Sequence, residues 1–172
     1  MIPAQEFVVR LNRTHVVDGF DCGDPEQTSW LIKHAFTAHR SGQSRVYVAA
    51  HADQRVLGYV ALSSGSVTPA DAPSRVMQGQ GSYPVPIALL TRLGVDVSVQ
   101  GMGLGRLLLR HALDVAADVA ERIGIRALLI HCANEDVRSW YLAQTSAFEP
   151  SPTDPLHLFL LMKDLRRFST EQ

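Results

Sequence analysis

The stretch VSVQGMGLGRLLLRHALDVAADVAERIG, residues Val97–Gly124, decides the fold of this chain. Its glycines alternate at Gly101, Gly103 and Gly105 and lead directly into a run with helical spacing of apolar residues. That run predicts a helix from Gly103 to Ile123, ended by Gly124, whose buried stripe comprises Leu104, Leu107, Leu108, Ala112, Val115, Val119 and Ile123.

A glycine-rich turn into a helix N-terminus is a favourable anion site. The first helical turn leaves backbone N–H groups without partners, and the helix dipole adds partial positive charge there. Glycine lets a phosphate approach the backbone closely. The same glycines are equally compatible with a tight strand-to-helix turn that binds nothing.

The spacing excludes two familiar phosphate motifs. A dinucleotide-binding G-x-G-x-x-G counted from Gly101 requires glycine where Arg106 stands, and counted from Gly103 it requires glycine at Leu108. A P-loop counted from Gly101 also meets Arg106 in place of its second glycine.

Alternating strand and helix patterns surround this stretch. On the N-terminal side, the sequence predicts a strand over Glu6–Asn12 and then a helix. Asp24 caps this helix, Pro25 and Gln27 lie in its first turn, and Ser41-Gly42 ends it. A hairpin of Arg45–Ala52 and Val56–Thr68 and a surface loop from Pro69 to Pro86 are predicted to follow. The C-terminal side predicts strands Ile87–Val99, Ala127–Ala133 and Leu156–Leu165, a helix Glu135–Thr145, and a turn at Pro150–Pro152. This order predicts an α/β fold with a mixed central sheet and helices on both faces, in a single domain over residues 1–172 with a loop insertion at about 69–86.

Composition limits the functional classes. The chain has 172 residues and a net charge of −1 at pH 7, so it is not a strongly cationic nucleic-acid binder. No apolar run reaches the roughly 18 residues of a membrane span, and no signal-peptide pattern opens the sequence. Cys22 and Cys132 are the only cysteines, which favours a reduced cytoplasmic protein, and the histidines lack metal-ligand spacing.

The sequence Gln100-x-x-Gly103-x-Gly105 resembles the (R/Q)-x-x-G-x-(G/A) pyrophosphate loop of the GNAT N-acetyltransferases. Downstream, Asn134 follows the next strand and Tyr141 comes seven residues later, as is common in that family; Ala147 replaces the glycine of the family's Gly-Phe turn. The resemblance implies the GNAT acyl-CoA N-acyltransferase fold and acetyl-CoA as cosubstrate. It assigns cofactor binding to Leu93, Gly94, Val95, Gln100, Gly101, Met102, Gly103, Leu104, Gly105, Arg106 and Asn134, and the general-acid role to Tyr141.

Further motifs look like those of TacT/AtaT-like GNAT toxins from bacterial toxin–antitoxin pairs. They are His15, Phe20–Gly23, Trp30-Leu31, Gly58–Leu62, Leu93–Asp96 and Phe148–Pro152. This resemblance implies acetylation of the α-amino group of aminoacyl-tRNA, which blocks translation. It also implies a ribbon-helix-helix antitoxin partner and a possible homodimer. An N-acetyltransferase of small drug or metabolite amines is the alternative, and a binding module without chemistry is disfavoured by Tyr141 and the complete loop.

Two observations bear on the acceptor. No carboxylate stands in the strand IALLTRLGV as a general base. An α-amino group, with a pKa near 7.7–8.0, needs a base less than a lysine does, so this absence favours an α-amino substrate. Arg92 and Asp96 fall on one strand face, and Arg92 is either half of an ion pair or a contact for a substrate phosphate. Arg45, Arg75, Arg106, Arg110 and Arg138 are further candidates for phosphate contact.

Overall fold

A computed structural model describes residues 7–165 and Phe168, so Glu6, the first residue of the expected N-terminal strand, lies outside it. The strands are β1 (Val8–Arg10), β2 (Arg45–Ala50), β3 (Val56–Val67), β4 (Val85–Val95), β5 (Ala127–His131), β6 (Glu149–Pro150) and β7 (His157–Leu161). The helices are α1 (Pro25–Lys33), α2 (Ala35–Ser41), α3 (Ser74–Met77), α4 (Leu104–Ala120) and α5 (Glu135–Gln144), with 3-10 turns at Pro69–Asp71, Val97–Val99 and Met162–Asp164.

The sheet is mixed, which confirms the predicted fold class. Its strand order is β1-β2-β3-β4-β5-β7-β6. The pairing of β4 with β5 is parallel, and β2 pairs with both β1 and β3 in the antiparallel sense. A parallel pair requires a crossover connection, which here contains α4. The described residues divide into two compact units, the first comprising residues 7–63 and 91–112, the second residues 64–90, 113–165 and 168.

The first unit contains the predicted hairpin and helical segment. Asp24 caps α1 as expected, since its carboxylate accepts hydrogen bonds from the backbone N–H groups of Glu26 and Gln27. The core of the first unit includes Leu31, Val46 and Tyr59, each fully buried. Gly42 ends α2 in the left-handed conformation with φ +80°, again as expected.

One continuous helix was expected from Pro25 to Ser41, but the segment forms two helices, so that prediction is wrong. The helix breaks at His34, whose φ of −124° leaves the helical region, and α2 begins at Ala35. The His34 N–H still bonds to the Trp30 carbonyl at 2.9 Å, so the break is a local turn within a helical path. No glycine or proline marks position 34, and local sequence therefore carries no signal for the break.

The second unit differs from expectation between Pro69 and Pro86. This segment is not one irregular loop, because it contains a 3-10 turn, α3 and the start of β4. Val76 is fully buried and packs in a core cluster with Ile87 and Leu129. The Arg126 guanidinium donates to the carbonyls of Arg75, Val76 and Gln78, which fastens the segment to the domain.

Several element ends also differ. The strand expected over Ile87–Val99 ends at Val95, because Asp96 accepts a hydrogen bond from the Ser98 N–H and caps a 3-10 turn. The helix expected to reach Ile123 ends at Ala120, and Ile123 is exposed. The strand expected over Leu156–Leu165 is shorter, and β6 includes the first residue, Pro150, of the turn expected at Pro150–Pro152. The helix expected over Glu135–Thr145 is confirmed as α5, one residue shorter.

The buried face of α4 is rotated from the predicted stripe. Leu108 and Ala112 belong to both, but Leu104, Leu107, Val115 and Val119 are only half-buried, and the fully buried positions are Leu108, Leu109, Ala112, Leu113 and Ala116. Within the described ranges no helix is both long enough and apolar enough to span a membrane.

Candidate functional site

The loop before α4 has the backbone that its glycines predict. Gly101 has φ +78° and Gly103 has φ +87°, a region that residues with a side chain rarely adopt. A Cβ added at either position would meet no atom within 4 Å, so the face in front of both Cα atoms is open. Met102 between them is largely exposed. The loop therefore presents bare backbone to whatever approaches it.

The N-terminus of α4 offers backbone donors to a ligand. The N–H of Leu107 bonds to the Gly103 carbonyl at 3.2 Å, which opens the hydrogen-bond ladder of the helix. The N–H groups of Leu104 and Gly105 precede that bond, and Gly103, at the cap position, has no side chain with which to accept from them. Converging N–H groups at the start of a 17-residue helix fit a pyrophosphate.

Gln100 holds this loop in place. Its side-chain amide nitrogen donates to the carbonyls of Cys22 and Val95, each at 2.9 Å. Because both donor positions of the amide are occupied by backbone carbonyls, Gln100 contributes to the site by positioning the loop. This structural use of Gln100 was not expected from the sequence.

Asp96 makes a second connection to the same turn. Its carboxylate accepts from the Asp21 N–H at 3.0 Å and from the N–H and hydroxyl of Ser98. Burial, the largest influence, opposes ionisation of Asp96, but the hydrogen bonds from Ser98 and Asp21 outweigh it and lower its pKa. Asp96 is therefore an ionised structural acceptor near neutral pH.

The end of β4 offers backbone groups to a ligand. The Asp96 N–H donates to the Leu57 carbonyl on β3, at 2.8 Å. Backbone directions alternate along a strand, so the groups of Leu93 and Val95 point to the opposite edge of β4. The register with β5 runs from Ile87 to Leu90, before these residues are reached. Gly94, between them, is required sterically, because an added Cβ would lie 3.0 Å from the Tyr59 ring.

Arg92 does not form the ion pair with Asp96 that its spacing allowed. Its guanidinium lies 5.4 Å from the centroid of the Trp30 ring and bonds to Glu26 at 3.0 Å. Trp30 also stacks on Tyr59, with ring centroids 5.9 Å apart. Arg92 is thus oriented by an aromatic face and one carboxylate.

Arg92 also lines a groove of about 400 Å³ in the first unit. The other lining residues come from α1, α2 and the strands β3 and β4, with the segments that lead into α2 and β2; they include Trp30, His34, Thr37, Ser44, Ser63 and Thr91. The sequence motifs singled out Trp30 and Arg92 but missed the α2 residues, for which only their helical spacing from Trp30 was a signal.

The second unit places Asn134 and Tyr141 on α5. The Asn134 side-chain oxygen accepts from the Val137 N–H at 2.9 Å, so Asn134 is the N-cap, as its position predicted. Tyr141 is buried, and its ring packs edge-on against Trp140 and Phe148. Burial raises the pKa of its phenol above the usual value.

The substituted turn after α5 keeps an ordinary backbone. Ala147 replaces the glycine of the pattern, and its φ is not positive. Among the described non-glycine residues, only Gln54 has a positive φ. The Ala147 N–H bonds to the Thr145 hydroxyl at 3.2 Å. The turn therefore has no conformational need for glycine.

Several other candidates have structural partners. Arg45 donates to the His39 carbonyl, Arg75 pairs with Glu149 and Asp164, and Arg138 pairs with Glu135. Both cysteines are free thiols, and burial raises the pKa of Cys132 to about 11, which disfavours a nucleophilic role. Over residues 7–165 no cluster of three His, Cys, Asp or Glu side chains could hold a metal ion.

Comparison with known proteins identifies the family of the chain. The model of the acetyltransferase (GNAT) family matches residues 10–148. A protein from Mycobacterium tuberculosis named tRNA-acetylating toxin is 46% identical over 157 residues, which cover 91% of this chain and 92% of that protein. The structure of AtaT complexed with acetyl-methionyl-tRNAfMet is 27% identical, with a TM-score of 0.83 and coverage of 92% of this chain and 96% of that one. A mutant AtaT toxin bound to the C-terminus of the antitoxin AtaR and acetyl-CoA is 25% identical, with a TM-score of 0.78 and coverage of 95% and 97%.

Proposed function

Because the chain belongs to the GNAT family of acetyltransferases, we propose that it transfers the acetyl group of acetyl-CoA to the α-amino group of aminoacyl-tRNA. Such a modified aminoacyl-tRNA no longer serves translation, so the chain acts as the toxin of a toxin–antitoxin pair. The observation that carries this proposal is the 46% identity, over nine-tenths of the chain, to a relative named for tRNA acetylation.

Cofactor holding is the role of the loop Gln100–Arg106. The N–H groups of Leu104 and Gly105 donate to the pyrophosphate, and the bare Cα positions of Gly101 and Gly103 give it room. Asn134 retains an amide donor after capping α5, and we assign that donor to the cofactor as well. Bound acetyl-CoA supplies an acetyl group already activated as a thioester.

The backbone of Leu93 and Val95 orients the pantetheine arm. The arm contains amides, which pair with an unoccupied strand edge as another strand would. Leu93 offers both its N–H and its carbonyl, whereas the Val95 carbonyl already accepts from Gln100 and leaves its N–H for the arm. This edge directs the thioester along β4 toward Arg92.

Proton transfer is assigned to Tyr141. Its buried phenol stays protonated throughout the neutral range, because burial raises its pKa. A neutral phenol can donate its proton to the departing sulfur as a general acid. No basic side chain is needed for an α-amino acceptor, since a substantial fraction of such amines is neutral at pH 7.

The partners follow from the same assignment. The acceptor is an aminoacyl-tRNA, the inhibitor is a ribbon-helix-helix antitoxin, and the functional form is a homodimer in the cytoplasm, where charged tRNA is found. A single catalytic domain over residues 1–172 remains part of the proposal. Arg92, oriented by Trp30 and Glu26, contacts the substrate.

The test is acetyl transfer from labelled acetyl-CoA to total charged tRNA, run beside deacylated tRNA and a panel of small amines. We expect label on charged tRNA only, at the α-amino group. Label on small amines alone would retain the cofactor site and replace the proposed function by drug or metabolite acetylation.

A further inference from the structure

Met102 is a largely exposed methionine inside the loop to which pyrophosphate binding is assigned. Its relative exposure is 76%, whereas Met77 and Met162, the other methionines of the described residues, are half-buried. A side chain this exposed makes little contribution to a hydrophobic core. Its thioether is open to oxidants dissolved in water, and oxidation converts a thioether into a sulfoxide.

The backbone on both sides of Met102 is fastened by hydrogen bonds. Before it, the Gln100 amide donates to two backbone carbonyls, and after it, the Leu107 N–H bonds to the Gly103 carbonyl. An added Cβ at either flanking glycine, Gly101 or Gly103, would meet nothing within 4 Å, so the space beside the loop is open. The Met102 side chain therefore has room to lie over the start of α4 while the backbone beneath it keeps its path.

The start of α4 presents hydrogen-bond donors close to Met102 along the chain. The N–H groups of Leu104 and Gly105 precede the first bond of the helical ladder, and Gly103 has no side chain with which to accept from them. The thioether sulfur of methionine is only a weak acceptor. The unmodified Met102 side chain therefore leaves these donors to the phosphate oxygens of acetyl-CoA.

Oxidation of the thioether creates a strong acceptor at this place. A hydroperoxide transfers one oxygen atom to the sulfur, so that the O–O bond breaks and an S–O bond forms. The sulfur gives up two electrons, the proton of the transferred oxygen passes to the leaving oxygen, and the peroxide departs as an alcohol, or as water if it is hydrogen peroxide. The sulfoxide oxygen carries partial negative charge, which the N-terminus of a helix attracts.

We propose that Met102 is an oxidation site at which a peroxide lowers the affinity of the chain for acetyl-CoA. The sulfoxide oxygen accepts from the N–H groups of Leu104 and Gly105, and acetyl-CoA must displace it in order to bind. The inference rests on the proposed function, which places the pyrophosphate at this loop, and adds a regulation of the same site. Because the phosphates and the oxidised side chain occupy the same place, bound acetyl-CoA protects Met102 from oxidation.

Oxidation rates in the full chain give the first readout. The protein is treated with hydrogen peroxide at neutral pH, with and without saturating acetyl-CoA, and peptide mass spectrometry follows the gain of oxygen at each methionine. We expect Met102 to react at least about threefold faster than Met77 and Met162, and acetyl-CoA to slow the reaction of Met102 alone. Equal rates at the three methionines, or no protection of Met102 by acetyl-CoA, would overturn the proposal.

Titration calorimetry with acetyl-CoA gives the second readout, and each protein is compared with itself before and after peroxide. We expect oxidation to raise the dissociation constant of the wild type about 3- to 10-fold, the equivalent of about one hydrogen bond, at an unchanged melting temperature. Met102→Leu has no sulfur at this position and should show no change on the same treatment. Met102→Gln carries a permanent carboxamide acceptor on a side chain of similar length, so its dissociation constant should exceed that of Met102→Leu without any peroxide.

Oxidation of the free thiols Cys22 and Cys132 is separated from this effect by repair. Methionine sulfoxide reductase with a dithiol should restore the affinity of the oxidised wild type, whereas the dithiol alone reduces disulfides and sulfenic acids and should not restore it. Full recovery with the dithiol alone would assign the effect to a cysteine and overturn the assignment to Met102.

Failure of this inference and failure of the proposed function have different signatures. A wild type that is oxidised at Met102 and keeps its affinity for acetyl-CoA overturns the inference, whatever its activity on tRNA. A wild type that loses affinity for acetyl-CoA on oxidation of Met102, yet acetylates no charged tRNA before oxidation, overturns the proposed function and leaves Met102 the oxidation site of an acetyl-CoA-binding protein.

Discussion

Replacing Gly103 by alanine should weaken acetyl-CoA binding by about 5- to 30-fold, or remove the equivalent free energy from the folded state. Gly103 has φ +87°, and an L-residue in the left-handed region costs about 1–2 kcal/mol. A Cβ at this position meets nothing within 4 Å, so steric clash adds nothing to that strain. A difference of one or two kcal/mol corresponds to a factor of about 5–30 in an equilibrium constant.

Whether the strain lowers the stability of the fold or the affinity for acetyl-CoA depends on whether the loop keeps its conformation. If the surrounding structure holds φ positive, the strain lowers stability and the melting temperature falls by about 2–8 °C, with acetyl-CoA affinity retained. If the loop relaxes, stability is kept and acetyl-CoA must restore the strained form on binding. The sum of the two losses is therefore the predicted quantity.

Titration calorimetry and thermal unfolding, with and without acetyl-CoA, measure both losses. Gly124→Ala is the matched control, because Gly124 is equally open but lacks a left-handed φ. Gly103→Asn should fall between glycine and alanine, since asparagine tolerates the left-handed region better. Wild-type affinity together with wild-type stability in Gly103→Ala would refute the strained left-handed conformation on which the prediction rests.

Further expected results concern other parts of the chain. Tyr141→Phe should lower turnover about a hundredfold or more, with little change in acetyl-CoA affinity. Because burial raises the pKa of Tyr141, the pH–rate profile of the wild type should show no loss of the general acid up to at least about pH 10. Gly58→Ala should cost about 1–3 kcal/mol in urea unfolding, since its Cβ would lie 2.8 Å from a leucine methyl of α4. Asp24→Ala should cost about 1 kcal/mol by the same measurement, and Asp24→Asn should recover most of it. Cys132, with a pKa of about 11, should resist thiol reagents at pH 8 in the native state and react on unfolding.

Local rules predicted those features that depend on neighbouring residues. The Asp24 cap, the left-handed Gly42, the Asn134 cap and the glycine loop at Gly101–Gly103 all follow from a residue type and its immediate backbone. The strand predicted over Ala127–Ala133 is found as β5, Ala127–His131. Local sequence is therefore enough to locate the glycine loop and the Asn134 cap of the candidate site.

Features that depend on distant partners could not be read in this way. Arg92 pairs with Glu26, sixty-six residues away, rather than with Asp96 on its own strand. Gln100 donates to Cys22, and Val76 is buried in a segment rich in Pro and Gly that favours a loop on composition alone. The groove is likewise assembled from separate segments, so only tertiary packing reveals it.

The turn that Gln100 and Asp96 hold has a consequence for substitutions in the segment before α1. The Gln100 amide donates to the Cys22 carbonyl and the Asp96 carboxylate accepts from the Asp21 N–H, so residues 21 and 22 contribute only main-chain atoms to both links. Replacing the side chain at either position therefore leaves both links to the cofactor loop in place, provided that the backbone keeps its path.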